Sequence, residues 1–588
     1  MTTEKKESPY TLSGIFWSKT AYKRVSSEFH PYHRHDLNCF VHLWTTGLGI
    51  WGGIQLAMLY NFEYAVIAYA VIIALTTPFW TAVIHTAAVA AMALVHALQV
   101  GALPLEMDNV FFCLLAIAAG YGLQDLSHIV FQEKTYMGAY IYTRPLMLFV
   151  HTLWLLPLVI DSVLMRQCFL PNLVSRNRII VTQVSSRKAV EDLRDWINNN
   201  IAQVKETTHI WPHQQEGTSA STKALEDDAA IYAGFRKVFA AKHYDVKPVV
   251  GMNEIYVTAV GAKKDINSDA VFYTPHTDGP YWFLPAASLY RVLVGVTPNR
   301  MVRTRFNLQH GSQDQVVDMY GVLGFDYSRE LHWIDHVPGE TNTERRSLVK
   351  LHYIVYPKGW HWYGNVCASL QTNYNTWARG NFLKTLRPDG VSDFILAWWI
   401  WLTTWLNAIF EEHVGWANLM YILVAYALGP TPFLILTSFR HYTIYMTTFA
   451  FRDPPVAFGY LTRDCKLFKT MAIAHLARRL LPLVELPRDI PGLLVVSVGF
   501  LITVVATARL GFVRTYFGSE LGFVKPEWIH GFPYGYIPHP MIVGQLMAFG
   551  SIIYWWYNSL SAENLAILLV HMTFYTLHMI QEMLYSSY

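Results

Sequence analysis

The chain has 588 residues, 53% hydrophobic and 15% aromatic, with a formal net charge of +3, and its mean hydropathy is +0.22. A sequence this long and this apolar reads as a polytopic membrane protein rather than a soluble enzyme. So small and dispersed a charge, with no basic stripe carrying interleaved aromatics, argues against a nucleic-acid partner.

Apolar runs long enough to cross a bilayer fall near residues 40–60, 64–100 (enough for a helical pair), 110–126 and 145–164, and resume near 392–409, 416–439, 490–508, 541–557 and 565–584. The polar stretch between them holds most of the charge. The expected fold class is therefore a polytopic α-helical membrane protein with a soluble β-rich insert, a double-stranded β-helix or jelly roll. Three domains are expected: a helical membrane domain over 1–165, a soluble domain over 166–391, and a second helical membrane domain over 392–588. The first 38 residues are polar and basic (Lys5, Lys6, Lys19, Lys23, Arg24), so no cleavable signal peptide is expected. The positive-inside rule places the N-terminus, residues 166–187 and the loop 440–488 in the cytosol, and with them the central domain. Five scattered cysteines (Cys39, Cys113, Cys168, Cys367, Cys465) form no CxxC pair, so neither a zinc ribbon nor a disulfide framework is expected.

In the N-terminal block, His30, His33, His35 and His42 crowd the entry to the first apolar run, FHPYHRHDLNCFVHLW. On a helix Asn38 and His42 share a face, and in GYGLQDLSHIV so do Gln124 and His128. Polar groups facing a bundle interior at membrane depth are functional candidates. For any one of these histidines the plainer role is an interfacial imidazole, or one bonded to a backbone carbonyl. Taken together, Tyr32-His33, Asn38, His42, the GYGLQDLSHIVFQEK stretch through Glu133 and the apolar PLMLFVHTLWLLP segment resemble the membrane-embedded 2-hydroxy fatty acid dioxygenases of fatty acid α-oxidation (the DUF962-type proteins). The resemblance covers about residues 20–165 and implies that His33, His42 and His128 bind iron. Thr45-Thr46-Gly47 stands where the family has a proline, and Gln132 displaces the acidic residue after His128.

The central insert carries the motif YTPHTDGP (residues 273–280), with His332 and Arg345-Arg346-Ser347 downstream. Two imidazoles and one carboxylate form the ligand set that holds Fe(II) on one face and leaves the opposite positions open. His276 and Asp278 lie two apart, hence on one face of a strand. His332 is the expected third ligand, with His336 and His352 as competitors. Residues 347–355 (SLVKLHYIV) alternate as a strand. Arg345 and Ser347 would share a face there, and a guanidinium beside a hydroxyl suits a carboxylate; Arg346 is the alternative. The pattern resembles the Fe(II)/2-oxoglutarate-dependent dioxygenases, which implies that His276, Asp278 and His332 hold Fe(II) and that the arginine and Ser347 anchor 2-oxoglutarate. Tyr281, Trp282 and Phe283 are candidates for an apolar substrate slot or for core, and residues 214–222 (QQEGTSAST) read as a mobile loop.

The C-terminal block contains LGFVRTYFG (510–518), GFPY (531–534), HPMIVGQ (539–545) and Gln581-Glu582. In this order the elements resemble the membrane methyltransferases acting on phosphatidylethanolamine and on isoprenylcysteine. That implies S-adenosylmethionine held around Gly511 and Glu582. Arg514 replaces the second glycine of that family's turn and Gln581 the first of its paired glutamates. The expectation is a membrane enzyme of the endoplasmic reticulum that works through Fe(II) and 2-oxoglutarate, on a lipid or acyl substrate delivered from the bilayer, since both flanking resemblances point to lipid. The alternatives are an S-adenosylmethionine-dependent lipid amine or thiol methyltransferase with accessory domains, and a non-catalytic lipid-binding scaffold.

Overall fold

The computed structural model describes residues 19–33, 36–97, 110–131, 133, 145–166, 177–201, 207–239, 244–258, 271–279, 287–308, 314–342, 344–386, 388–450 and 456–585. Cys168 and the aromatic trio Tyr281, Trp282 and Phe283 lie outside these residues. The other four cysteines are buried free thiols. The chain divides into two compact units, one of residues 1–171 with 240–245, the other of 172–239 with 246–588.

The first unit is helical: α1 (Lys19–Phe29), α2 (Asp36–Leu59), α3 (Glu63–Thr76), α4 (Phe79–Ala97), α5 (Val110–Val130) and α6 (Pro145–Arg166). Tyr22, Val25 and Phe29 of α1 pack with Trp154 and Leu158 of α6. Helices α2 and α5 approach so closely that a Cβ on Gly120 would lie 2.7 Å from the Thr45 carbonyl. Small residues allow that approach, and membrane helices rely on it because lipid gives them no hydrophobic drive to associate. The run 64–100 divides into the expected pair, α3 and α4.

In the second unit, which takes β3 from residue 246 onward, the strands come first: β1 (Ile180–Gln183), β2 (Thr208–Ile210), β3 (Tyr244–Pro248), β4 (Glu254–Val257), β5 (Ser288–Gly295), β6 (Val302–Phe306), β7 (Gln315–Val316), β8 (Gly321–Asp326), β9 (His332–His336) and β10 (Ser347–Pro357). The larger sheet runs β1-β8-β5-β10-β4-β2 with β3 beside β10, and the smaller runs β7-β6-β9. Side chains alternate between the two faces of each strand. On the inner face of the large sheet, Leu293, Phe325 and Leu348 meet Phe306 of the small sheet. On its outer face, Tyr290 and Tyr353 meet Phe235 at ring distances of 5.3 and 5.1 Å. Phe235 belongs to α9 (Ala229–Val238), which follows α7 (Arg187–Asn200) and α8 (Ser219–Glu226). Residues 214–222 are not the loop expected from their polarity. The Thr218 hydroxyl donates to the Pro212 carbonyl at 2.7 Å and α8 begins at Ser219.

After β10, α10 (His361–Leu386) leads to α11 (Val391–His413), α12 (Trp416–Ala427), α13 (Pro430–Ala450), α14 (Phe458–Leu480), α15 (Ile490–Leu510), α16 (Pro540–Trp556) and α17 (Ala562–Tyr585). Among the described residues three helices are long and apolar enough to cross a membrane: Val110–Val130, Val391–His413 and Ile490–Leu510. The chain is an integral membrane protein with a separate β region. The run 416–439, expected as one span, is instead broken. Gly429 adopts φ +110° and Pro430 opens a new helix, which leaves α12 with 12 residues, too few to cross a bilayer.

Candidate metal centres and a carboxylate cleft

In the β region His276 and Asp278 do not lie on a strand, as their spacing suggested. They sit on a short loop tied to β9 by one bridge: the His276 amide donates to the His332 carbonyl and the His332 amide to that of His276, both at 2.9 Å. This bridge selects His332 from the three candidate histidines. His336 is occupied by the Tyr273 hydroxyl at 3.1 Å, and His352 accepts from Arg291 Nε at 3.2 Å. The ligand atoms of His276, Asp278 and His332 all fall within 4.8 Å of one another. His276 Nε2 is 3.8 Å from Asp278 Oδ1 and His332 Nε2 is 3.5 Å from Oδ2.

The backbone fixes the tautomers. Nδ1 of His276 donates to the Thr274 carbonyl at 2.8 Å, and Nδ1 of His332 to the Glu330 carbonyl at 3.0 Å. Both Nε2 atoms are thereby left with lone pairs directed at the carboxylate, the outer-shell arrangement typical of metal-binding histidines. Burial pushes His276 down and His332 down to about 4, so both rings are neutral near pH 7. Burial alone would raise the Asp278 carboxyl; the Arg291 guanidinium and the two imidazoles hold it well below the usual carboxylate range. Arg291 Nη1 lies 2.5 Å from Asp278 Oδ1, while Oδ2 has no hydrogen-bond partner. One orphaned carboxylate oxygen and two lone-pair nitrogens converging on one point fit a divalent cation.

The two arginines after β9 diverge. Arg345 turns outward and caps α7, donating to the Ile201 and Ile197 carbonyls at 2.8 and 2.9 Å. Arg346 is 4% exposed and its Nε has no hydrogen-bond partner. By the two-residue period of β10 it belongs with Leu348, Lys350 and His352, the face that carries the inner core and meets Arg291. Ser347 is fully buried on the opposite parity, its hydroxyl unpartnered. The expected Arg345–Ser347 grip is thus not formed.

Three groups here were not anticipated. Arg291 lies in SLYRVLVG, and one charge inside an apolar strand was the available signal. Glu254, fully buried, pairs with Lys350 at 3.6 Å and with Arg379. Asn407 of α11 donates to the Thr277 hydroxyl, between the two loop ligands, at 3.3 Å, and accepts from Trp416 Nε1 at 2.8 Å. A helix able to span the membrane therefore touches the ligand loop.

In the first unit α2 and α5 bring the expected histidines together. His33 Nε2 lies 3.2 Å from His42 Nδ1, and the His128 ring is 4.7 Å from that of His42. The ligand atoms of all three again fall within 4.8 Å. Gln124 Nε2 reaches His42 Nδ1 at 3.1 Å, and the Ser127 hydroxyl donates to Asn38 at 2.7 Å. Buried His42 Nε2 and His128 Nδ1 have no hydrogen-bond partner, which also fits a cation.

In the C-terminal block Gly511, at φ +81°, ends α15 with open space where a Cβ would be. Glu582 is held between His539 Nδ1 at 3.0 Å and His578 Nε2 at 3.3 Å. The bond to Glu582 raises the His539 pKa, although partial burial opposes it. The departures noted in the sequence have structural partners: Arg514 pairs with Glu527 at 2.6 Å, and Gln581 donates to the Met446 carbonyl at 2.9 Å. The Tyr534 hydroxyl is buried without a partner. The Glu582 carboxylate, between two imidazoles and near the Tyr534 hydroxyl, suits a cationic or hydroxyl-bearing group.

A phospholipid methyltransferase family model matches residues 488–586. No curated protein matches the chain.

Proposed function

We propose that the chain is a membrane lipid-modifying enzyme whose C-terminal block transfers a methyl group from S-adenosylmethionine to an amine or thiol carried by a lipid. The observation that supports this best is the phospholipid methyltransferase match over residues 488–586, which contain Gly511, His539 and Glu582. S-adenosylmethionine, when bound, supplies a methyl group on a cationic sulfur. Glu582, oriented by His539 and His578, takes the positive amine or the ribose hydroxyls. Gly511 lets the ligand approach the backbone. The protein then has to align acceptor and methyl carbon and keep water away. The test is S-adenosylmethionine binding by the detergent-purified chain. Glu582→Gln is expected to weaken it at least tenfold while His276→Ala leaves it unchanged. Absence of binding by the unaltered chain would refute the reading.

The geometry of His276, Asp278 and His332 favours a second reading, an oxygenase in the β region. Fe(II) with 2-oxoglutarate supplies oxygen-dependent oxidation of a C–H bond, with release of succinate. His276, Asp278 and His332 would hold the iron, and Arg346, rather than the outward-turned Arg345, the co-substrate carboxylate. Ser347 would support that strand. The contact between Asn407 and Thr277 supports a substrate drawn from the bilayer. Succinate formation with Fe(II), ascorbate and total lipid extract, lost in His276→Ala/Asp278→Ala, tests it. The His33, His42 and His128 cluster would hold a second iron used on acyl chains. A cytosolic β region and residence in the endoplasmic reticulum complete the proposal. If neither S-adenosylmethionine nor iron binds, the lipid-binding scaffold remains.

A further inference from the structure

Between α13, α14, α15, α16 and α17 lies a cavity of about 720 Å³, within the range of roughly 300–1,000 Å³ that small ligands fill. Its walls are mostly aliphatic and aromatic, among them Leu476, Leu493, Val496, Phe500, Val504 and Phe549. Such walls favour hydrocarbon over a water-soluble metabolite. Polar groups interrupt them, among them His441, Lys469, Gln545 and His571.

Two of these are unpartnered in a way that calls for a ligand. His441 and His571 are each 1% exposed, and His441 Nδ1 and His571 Nε2 have no hydrogen-bond partner. The other nitrogen of His571 shares a hydrogen bond with the Tyr442 hydroxyl at 2.8 Å, which fixes the ring. A buried polar atom left without a partner costs about 1–3 kcal/mol. Lys469 brings its amine to the same cavity; burial lowers its pKa, with the Cys465 thiol acting against that, so an anion beside it would favour the ammonium. A cation facing hydrocarbon calls for an anion. One ammonium, two imidazoles and an amide suit the oxygens of a single phosphate or carboxylate.

We propose that this cavity binds an amphiphile with one alkyl chain along the apolar wall and an anionic group at Lys469, His441 and His571. This rests on the methyl-transfer reading only in making that amphiphile the acceptor. His441 and Lys469 come from α13 and α14, outside the matched residues 488–586, so the anion preference is a property of this chain's own preceding helices.

The experiment is equilibrium binding of radiolabelled hexadecyl phosphate, palmitate and hexadecanol to the full chain in detergent, with S-adenosylmethionine binding measured on the same samples. At least one of the two anions is expected to bind tenfold or more tightly than hexadecanol, and the tighter one identifies the headgroup as phosphate or carboxylate. Lys469→Met should remove that preference, Lys469→Arg should retain it, and His571→Phe should reduce it several-fold. Equal binding of all three probes, or an undiminished preference in Lys469→Met that still binds hexadecanol, would overturn the proposal. A Lys469-dependent preference in a chain that fails to bind S-adenosylmethionine would uphold the site while refuting the methyl-transfer reading.

Discussion

Replacing Arg291 with Met separates a metal centre from a mere cluster of buried charges. Arg291 and Asp278 form an ion pair at 2.5 Å, with side chains 9% and 6% exposed. Removing one partner of a buried pair leaves an uncompensated charge and costs about 3–5 kcal/mol. At about 1.36 kcal/mol per tenfold, that is roughly two to nearly four orders of magnitude in a local opening constant. A divalent cation held by His276, Asp278 and His332 would replace the lost positive charge. At a hundredfold excess over its dissociation constant it would restore about 2.7 kcal/mol. Because a chain of several compact parts has no single unfolding free energy, the assay is amide hydrogen exchange over β5 and β10 in the detergent-purified protein, with EDTA and with Mn(II). Arg291→Met should exchange much faster in EDTA and recover most of its protection in Mn(II). No gain of protection in Mn(II) over EDTA, in either the variant or the unaltered chain, would refute metal binding at this site.

Asp228 accepts from the Ala230 and Ile231 amides at the start of α9 and from both Ser185 groups and the Ser186 amide, so Asp228→Asn, which replaces a charged acceptor by a neutral one, should cost about 1–2 kcal/mol in thermal unfolding of the β region. Burial opposes the charge, but these donors bring its pKa below the ordinary carboxylate value. The stabilisation is therefore complete above about pH 4 and lost as pH falls through the folded value, and the difference from Asp228→Asn should close in acid. A Cβ on Gly544 would lie 2.6 Å from the Gly499 carbonyl, so Gly544→Ala should force α15 and α16 apart, costing about 1–3 kcal/mol and weakening S-adenosylmethionine binding. Asn407→Ala removes one hydrogen bond to Thr277, worth about 1 kcal/mol, and should raise the Mn(II) dissociation constant roughly fivefold by electron paramagnetic resonance.

Where periodicity governs, the sequence was legible. The alternation in SLVKLHYIV marks β10, and the i, i+4 spacing of Gln124 and His128 places both on the buried face of α5. Contacts distant along the chain were not. The loop carrying His276 and Asp278 is shaped by its bridge to His332 rather than by local strand propensity. Parity separated Arg346 from Ser347, but the outward turn of Arg345 depends on the carbonyls at the end of α7, which lie far away in sequence. Likewise, hydropathy alone carried the run 416–439 across the Gly429-Pro430 break.

Two centres in the second unit use the same residue types, a carboxylate between two histidines, yet the hydrogen bonds assign them different chemistry. At Asp278 each imidazole donates its Nδ1 proton to a backbone carbonyl, so both Nε2 lone pairs face the carboxylate. With both rings neutral and their protons on Nδ1, no proton lies between these acceptors, and a metal ion fits there. At Glu582 His539 donates its Nδ1 proton to the carboxylate itself at 3.0 Å, while His578 gives its Nδ1 proton to Gln581 Oε1 at 3.3 Å and sets Nε2 3.3 Å from the carboxylate. His539 and His578 therefore do not present two converging lone pairs. They orient the carboxylate, whose remaining lone pairs suit an amine or hydroxyl donor. The direction in which His539 gives its proton therefore separates the carboxylate site of the membrane block from the candidate metal centre of the β region.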